Sequence, residues 1–154
     1  MELKFVNAKS PDFAMLAQKL DDYYFEVVGA VQAKYAECNK PHNFACLAVV
    51  YEDGQPIGCG CWKAVDTVTA ELKRMYVLPE YRRKGAASMI VKAMEDHATA
   101  TGCHKMILET ASTTPESAAF YLALGYTEIG YYGSPAGAEN CRCFEKVLSD
   151  GTMR

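Results

Sequence analysis

Residues 71–87 read Glu71-Leu72-Lys73-Arg74-Met75-Tyr76-Val77-Leu78-Pro79-Glu80-Tyr81-Arg82-Arg83-Lys84-Gly85-Ala86-Ala87. A strand-like run ends in Val77-Leu78-Pro79, and a long amphipathic stretch begins just past the arginines. Gly85 and the two alanines carry little bulk, so an anion can come close to backbone N–H groups at a helix N-terminus. Arg82, Arg83 and Lys84 stand at its mouth and add charge-assisted hydrogen bonds. Strand, basic glycine turn and helix together predict a site for a phosphate or pyrophosphate.

Downstream of that turn, Met89, Ile90, Ala93, Met94 and His97 recur at helical spacing, which predicts a helix over residues 84–101 ended by Gly102. Residues 105–110 read as a buried strand. Thr114 as cap and Pro115 as first helical residue then open a second helix that ends at Gly125. Residues 126–132 and 141–148 read as closing strands around a Gly/Pro-rich loop at 133–140.

Upstream, residues 2–8 alternate as a short strand, and Ser10-Pro11-Asp12 carries helix-start chemistry. Leu16, Leu20, Tyr23, Val27 and Val31 keep helical spacing to about Asn39, with a break at Gly29 and a loop at 39–41. The apolar run 44–51, the turn 52–55, and strands at 56–65 and 68–78 make an antiparallel meander. The expected class is α/β (α+β), with a mixed, mostly antiparallel central sheet of about six or seven strands flanked by about four helices. Residues 1–154 are expected to form a single domain.

Composition bounds the function. Half of the 154 residues are apolar, enough for a real core. A formal net charge of −3 leaves no global basic field, so nucleic acid is not expected as a partner. No apolar run approaches the ~20 residues that span a bilayer, and the first residues lack a signal-peptide core, so no membrane partner is expected. Seven cysteines, an odd number, fit a reducing compartment, and the expected localisation is cytoplasmic.

The quoted segment resembles the acetyl-CoA-binding region of GCN5-related N-acetyltransferases (GNAT). The family pattern Arg/Gln-x-x-Gly-x-Gly/Ala is met by Arg82, Gly85 and Ala87. Leu108-Glu109-Thr110 and Phe120-Tyr121-Leu122-Ala123-Leu124-Gly125-Tyr126 resemble the second signature of that family, and Cys143-Phe144-Glu145-Lys146 its last strand. The similarity spans about residues 44–148, and the order of elements matches over the whole chain.

The resemblance implies a GNAT-like acyl-CoA acyltransferase fold, with acetyl-CoA as co-substrate and no metal. It implies that backbone groups of Met75, Tyr76 and Val77, at a bulged strand end, pair with the pantetheine arm and polarise the thioester. It gives the pyrophosphate to the N–H groups from Arg83 through Lys84, Gly85, Ala86 and Ala87, with Ser88 behind them and the side chains of Arg82–Lys84 screening charge. Tyr121 stands where family members place the general acid; a phenol carries its proton at neutral pH. Glu71 sits six residues before Val77, on the same strand face by period-2 counting, where some branches place a general base.

The implied reaction moves an acetyl group to a primary amine by direct attack in a ternary complex. A small-molecule acceptor is expected; a protein or peptide acceptor, or a non-catalytic acyl-CoA-binding module, are the alternatives. A homodimer is compatible with such families, but no pattern in the chain demands one. A nucleotide site of another fold is disfavoured, because the glycine spacing is not Gly-x-Gly-x-x-Gly.

Cys59-Gly60-Cys61 and Cys141-Arg142-Cys143 place two thiols on one strand face each, but with one intervening residue where structural zinc favours two to four. They read as buried apolar cysteines, and His42, His97 and His104 have no ligand spacing. Thr114 replaces an asparagine common in relatives and keeps the capacity to cap.

Overall fold

The computed structural model describes residues 1–28, 44–111, 114–133 and 141–148. The first helix beyond Val28, the break at Gly29, the loop at 39–41 and most of the loop at 133–140 lie outside the described residues. So do Cys38 and His42.

The chain runs β1 (Glu2–Val6), α1 (Pro11–Val28), β2 (Cys46–Glu52), β3 (Gln55–Ala64), β4 (Thr69–Val77), α2 (Ala86–Thr101), β5 (Lys105–Ala111), α3 (Pro115–Ala123), β6 (Thr127–Ile129) and β7 (Cys141–Val147). The strands form a 7-stranded sheet in the order β1-β2-β3-β4-β5-β7-β6. Every pair is antiparallel except β4 with β5, which α2 joins as a crossover. The mixed, mostly antiparallel sheet of the sequence reading is therefore present, with three α-helices among the described residues.

Local chemistry explains the element ends. The Phe13 N–H donates to Ser10 Oγ at 3.1 Å, so Ser10 caps α1 ahead of Pro11 and Asp12. Asp53 and Gly54, at φ 51° and 80°, make the two-residue turn that joins β2 to β3. α1 buries Phe13, Leu16 and Leu20 toward β2–β4, while α2 buries Ile90, Val91, Met94 and Ala98. Each fully buried Leu, Ile, Met or Phe contributes about 1.5–3 kcal/mol, so these two stripes fix which helix faces turn inward.

Three expectations need correction. Helix α2 begins at Ala86 instead of 84, because Arg83 and Gly85 both lie in the left-handed region, at φ 64° and 92°. Thr114 does not cap α3 through its side chain; its hydroxyl donates to the Ala111 carbonyl at 3.0 Å. The penultimate strand is only Thr127–Ile129, and the chain leaves the sheet edge before Tyr132, whose hydroxyl is used elsewhere.

One feature of the sheet opens a site. β4 and β5 pair from Thr69–Lys105 to Leu72–Leu108, yet β4 continues to Val77 and β5 to Ala111. Past Leu72 the two parallel strands part, and the backbone of β4 beyond that point faces an opening instead of a neighbour.

Candidate active site

The register between β3 and β4 slips just where the strands part. Cys61 pairs with Lys73 and Cys59 with Tyr76, so Arg74 and Met75 together oppose Gly60 alone. That is a β-bulge, and Arg74 takes it at φ 57°, a conformation L-residues rarely adopt. The bulge re-aims residues 75–77, the same three that the sequence reading gave to the pantetheine arm. Val77 is buried, while Met75 and Tyr76 are half-buried at the opening.

Next comes a 3-10 turn, Pro79–Tyr81, and then the basic loop. Gly85 is the N-cap of α2 and has no side chain to satisfy the first-turn N–H groups. A Cβ at Gly85 would meet nothing within 4 Å, so the space before the helix end is open and the φ of 92° alone requires glycine. Arg82, Arg83, Lys84 and Ser88 are exposed around it, with Ala86 buried and Ala87 half-buried behind. This donor set fits a pyrophosphate: uncapped N–H groups, the positive end of a helix, and cations.

The three cations are not equivalent. Arg82 folds back, its Nε–H donating to the Val77 carbonyl at 2.9 Å and its guanidinium lying 5.6 Å from the Tyr76 ring centroid. Arg82 thus braces the turn between strand and helix. The Lys84 ammonium lies 5.7 Å from the Tyr81 ring centroid.

On the other side of β4 is a cluster of polar side chains. Glu71 is 8% exposed; its Oε2 accepts from the Tyr132 hydroxyl at 2.8 Å, and its Oε1 lies 3.9 Å from Lys73 Nζ. Burial raises the Tyr132 phenol strongly, and the adjacent Glu71 charge and hydrogen bond add to it, so Tyr132 stays a donor at any ordinary pH. A carboxylate offers about four lone-pair sites, so Glu71 keeps capacity for a further donor.

Glu109 on β5 belongs to the same cluster, and the sequence reading gave it no role. Burial raises its carboxyl above the usual range; the Cys141 thiol hydrogen-bonds to it, Glu71 pushes it further up and Lys73 pulls it down. Cys141 itself is pushed up to about 12 by burial and by Glu109, so it is a thiol. The β4–β5 register brings Glu109 to this face: Glu71 is in register with Ile107, and Glu109 is the next residue on that side of β5.

Tyr121 lies on α3 and is buried, its ring edge-on to Phe120 at 5.0 Å and to Tyr126 at 5.7 Å between centroids. α3 packs against β5 and β6, so Tyr121 and Glu71 stand on different elements. The cysteines of β3 have a local use. The Cys59 thiol donates to the Arg74 carbonyl and the Cys61 thiol to the Lys73 carbonyl, each at 3.3 Å. No group of three or more metal-ligating side chains occurs among the described residues.

The sequence pattern described as the acetyltransferase (GNAT) family matches residues 12–126. The chain belongs to the GNAT family. As a GNAT protein it is an acetyl-CoA-dependent acyltransferase. It is 35% identical to aminoglycoside N(6′)-acetyltransferase type 1 of Klebsiella aerogenes over 111 residues, covering 68% of this chain and 67% of that protein. Among solved structures, an acetyltransferase from Streptococcus agalactiae superposes with a TM-score of 0.77 at 19% identity, over 96% of this chain and 98% of that one. An aminoglycoside 6′-N-acetyltransferase complexed with coenzyme A superposes with a TM-score of 0.71 at 16% identity, over 96% and 97% of the two chains. At such identities the structural likeness speaks for the GNAT fold alone. No helix among the described residues is long and apolar enough to cross a membrane.

Proposed function

We propose that this GNAT protein transfers the acetyl group of acetyl-CoA to the primary amine of a small cationic molecule, by direct attack in a ternary complex. The observation that carries the reading is the pairing of the buried Glu71 with the half-buried Glu109 on the sheet face beside the β4 bulge. An ammonium group entering there finds negative charge in a poorly solvated setting, where Coulomb attraction is strong. A protein N-terminus carries only one such cation, and a multiply charged amine uses both acids. The similarity to an aminoglycoside acetyltransferase agrees with this choice.

Donor and acceptor meet across β4. Pyrophosphate sits at the N-terminus of α2, held by the N–H groups from Arg83 to Ala87, and Ser88 lies close behind. The pantetheine arm runs along Met75, Tyr76 and Val77, whose backbone donors polarise the thioester carbonyl. The amine gives its proton to Glu71, directly or through water, and its lone pair attacks the carbonyl carbon. The carbon–sulfur bond breaks, the electron pair leaves on sulfur, and the Tyr121 hydroxyl supplies the proton that makes CoA a neutral thiol; the second proton shed by the acylated nitrogen returns through water to the Tyr121 phenolate, and Glu71 releases the first to solvent.

The test is CoA release measured across a panel of diamines, aminoglycosides, amino acids and peptide N-termini. Turnover highest with multiply charged small amines is expected. A preference for peptides would overturn the small-molecule reading, and acetyl-CoA binding without any turnover would replace the enzyme with a binding module.

A further inference from the structure

The Cys59-Gly60-Cys61 tripeptide lies directly opposite the bulge, and nothing in the proposed chemistry uses it. Each of its residues nevertheless touches the bulge. Gly60 is the single residue facing Arg74 and Met75, and a Cβ there would come within 2.5 Å of both Met75 Sδ and Ile90 Cγ2. Only glycine lets β3 lie under the bulge while α2 packs across it. The flanking thiols donate to the carbonyls of Lys73 and Arg74, the residues that enter the bulge. Burial raises both thiols, Cys59 to about 12, so both keep the proton they donate.

Arg74 completes the arrangement from the other side. Its side chain is 5% exposed, and its Nη2 donates at 2.8 Å to the Ala17 carbonyl and to Asp21 Oδ1, both on α1. Its Nε is buried with no hydrogen-bond partner among the described residues. A buried cation with an orphaned donor, on a backbone at φ 57°, persists only where its surroundings over-determine it. The contacts to α1 and the two thiol donors supply that determination.

We infer that Cys59, Gly60, Cys61 and the Arg74–Asp21 pair are positioning residues that hold the β4 bulge in the shape that binds the thioester arm of the donor. This rests on the acetyltransferase reading for its kinetic consequence, though not for the geometry itself. A bulge has lost its ladder register, and side-chain donors on its carbonyls replace what the ladder no longer fixes. The thiols therefore act as donors as well as filling volume.

Donor and filler roles predict opposite rankings of conservative variants. Cys61→Ser keeps an O–H donor at the Lys73 carbonyl; Cys61→Ala keeps an apolar side chain and removes the donor. If the thiol is a donor, Cys61→Ala speeds amide hydrogen exchange at residues 74–77 and raises KM for acetyl-CoA, each by about tenfold, the effect of one hydrogen bond. KM for the amine then moves less than twofold, and Cys61→Ser restores both properties. Wild-type exchange and KM in Cys61→Ala, with Cys61→Ser the worse variant, would overturn the inference. Asp21→Asn, at a half-exposed position, gives the second arm: faster exchange over the same residues is expected, and unchanged exchange counts against the Arg74 part. Exchange is read in the free protein, so the device is decided even if wild-type protein turns over no amine; that outcome would sink the acetyltransfer reading alone.

Discussion

Tyr121 is packed through its ring, while the proposed mechanism uses its hydroxyl, and the two can be separated. Edge contacts to Phe120 and Tyr126 fix the ring, and phenylalanine makes the same contacts. Tyr121→Phe should therefore unfold within a few degrees of wild type while kcat falls about 10²-fold, the usual worth of a positioned general acid. Thermal unfolding and steady-state kinetics on the same preparation check both halves; an unchanged kcat removes Tyr121 from the mechanism. Glu109 makes a different prediction, one of pH. Its carboxyl is raised, first by burial and then by Glu71, so the native state holds its proton more tightly than the unfolded chain. Its contribution to stability is complete below the ordinary carboxylate pKa and is lost as pH rises through the raised value. Glu109→Gln, which keeps the shape and drops the charge, should thus melt higher than wild type at neutral pH, and the gap should close toward pH ~4. Melting curves across that range measure it, and a gap that widens on acidification would reverse the assigned shift.

Among the elements, α2 and β4 carry the proposed donor site, and their joint at residues 82–86 makes the sharpest demand on backbone shape. Gly85 sits at φ 92° with open space beside it, so Gly85→Ala meets no clash and pays only the left-handed conformation, about 1–2 kcal/mol. Calorimetry should show acetyl-CoA binding weakened by more than the fall in stability accounts for, because the rearranged loop turns N–H groups away from the pyrophosphate. Binding as tight as wild type would place the anion elsewhere. The existence of this joint was legible in the sequence because strand, turn and helix each have a period or a breaker of their own. Its detail was not. Arg83 takes φ 64° without being glycine, so nothing announced that the helix starts at Ala86. The bulge was named from family resemblance; the letters themselves hide it, since it depends on how β4 registers against β3 and the residue that bends is an arginine. Glu109 was hidden for a related reason. Its nearness to Glu71 requires β4 and β5 to be neighbours across a crossover of about thirty residues, a tertiary fact that local pattern does not carry. Thr114 shows the reverse failure, a correct position with the wrong partner, because a hydroxyl can donate backward as readily as it accepts forward.

At the scale of the molecule, charge is divided across β4. The chain is acidic overall, at a net −3, yet its exposed cations at 82–84 gather where a polyanionic donor would lie, and the buried Glu71 and half-buried Glu109 stand on the proposed acceptor side. Salt does not treat these two regions alike. Exposed charges are screened over about 8 Å at physiological ionic strength, while a pair sunk in a poorly solvated pocket is screened much less. Raising the salt from about 0.05 M to about 0.5 M should therefore raise KM for acetyl-CoA several-fold and KM for a cationic amine by a smaller factor. Replacing both carboxylates, Glu71→Gln with Glu109→Gln, should invert the acceptor preference: a diamine loses its advantage over a monoamine of equal length, and an amino acid, whose own carboxylate the acids repel, gains ground. Each like-charge contact so removed is worth a few-fold or more in discrimination. Steady-state KM values for the three acceptors at two salt concentrations, in wild type and the double variant, decide the matter. If the amine KM follows salt as steeply as the acetyl-CoA KM, the acceptor is bound by surface charge, and Glu71 and Glu109 serve the fold instead of the substrate.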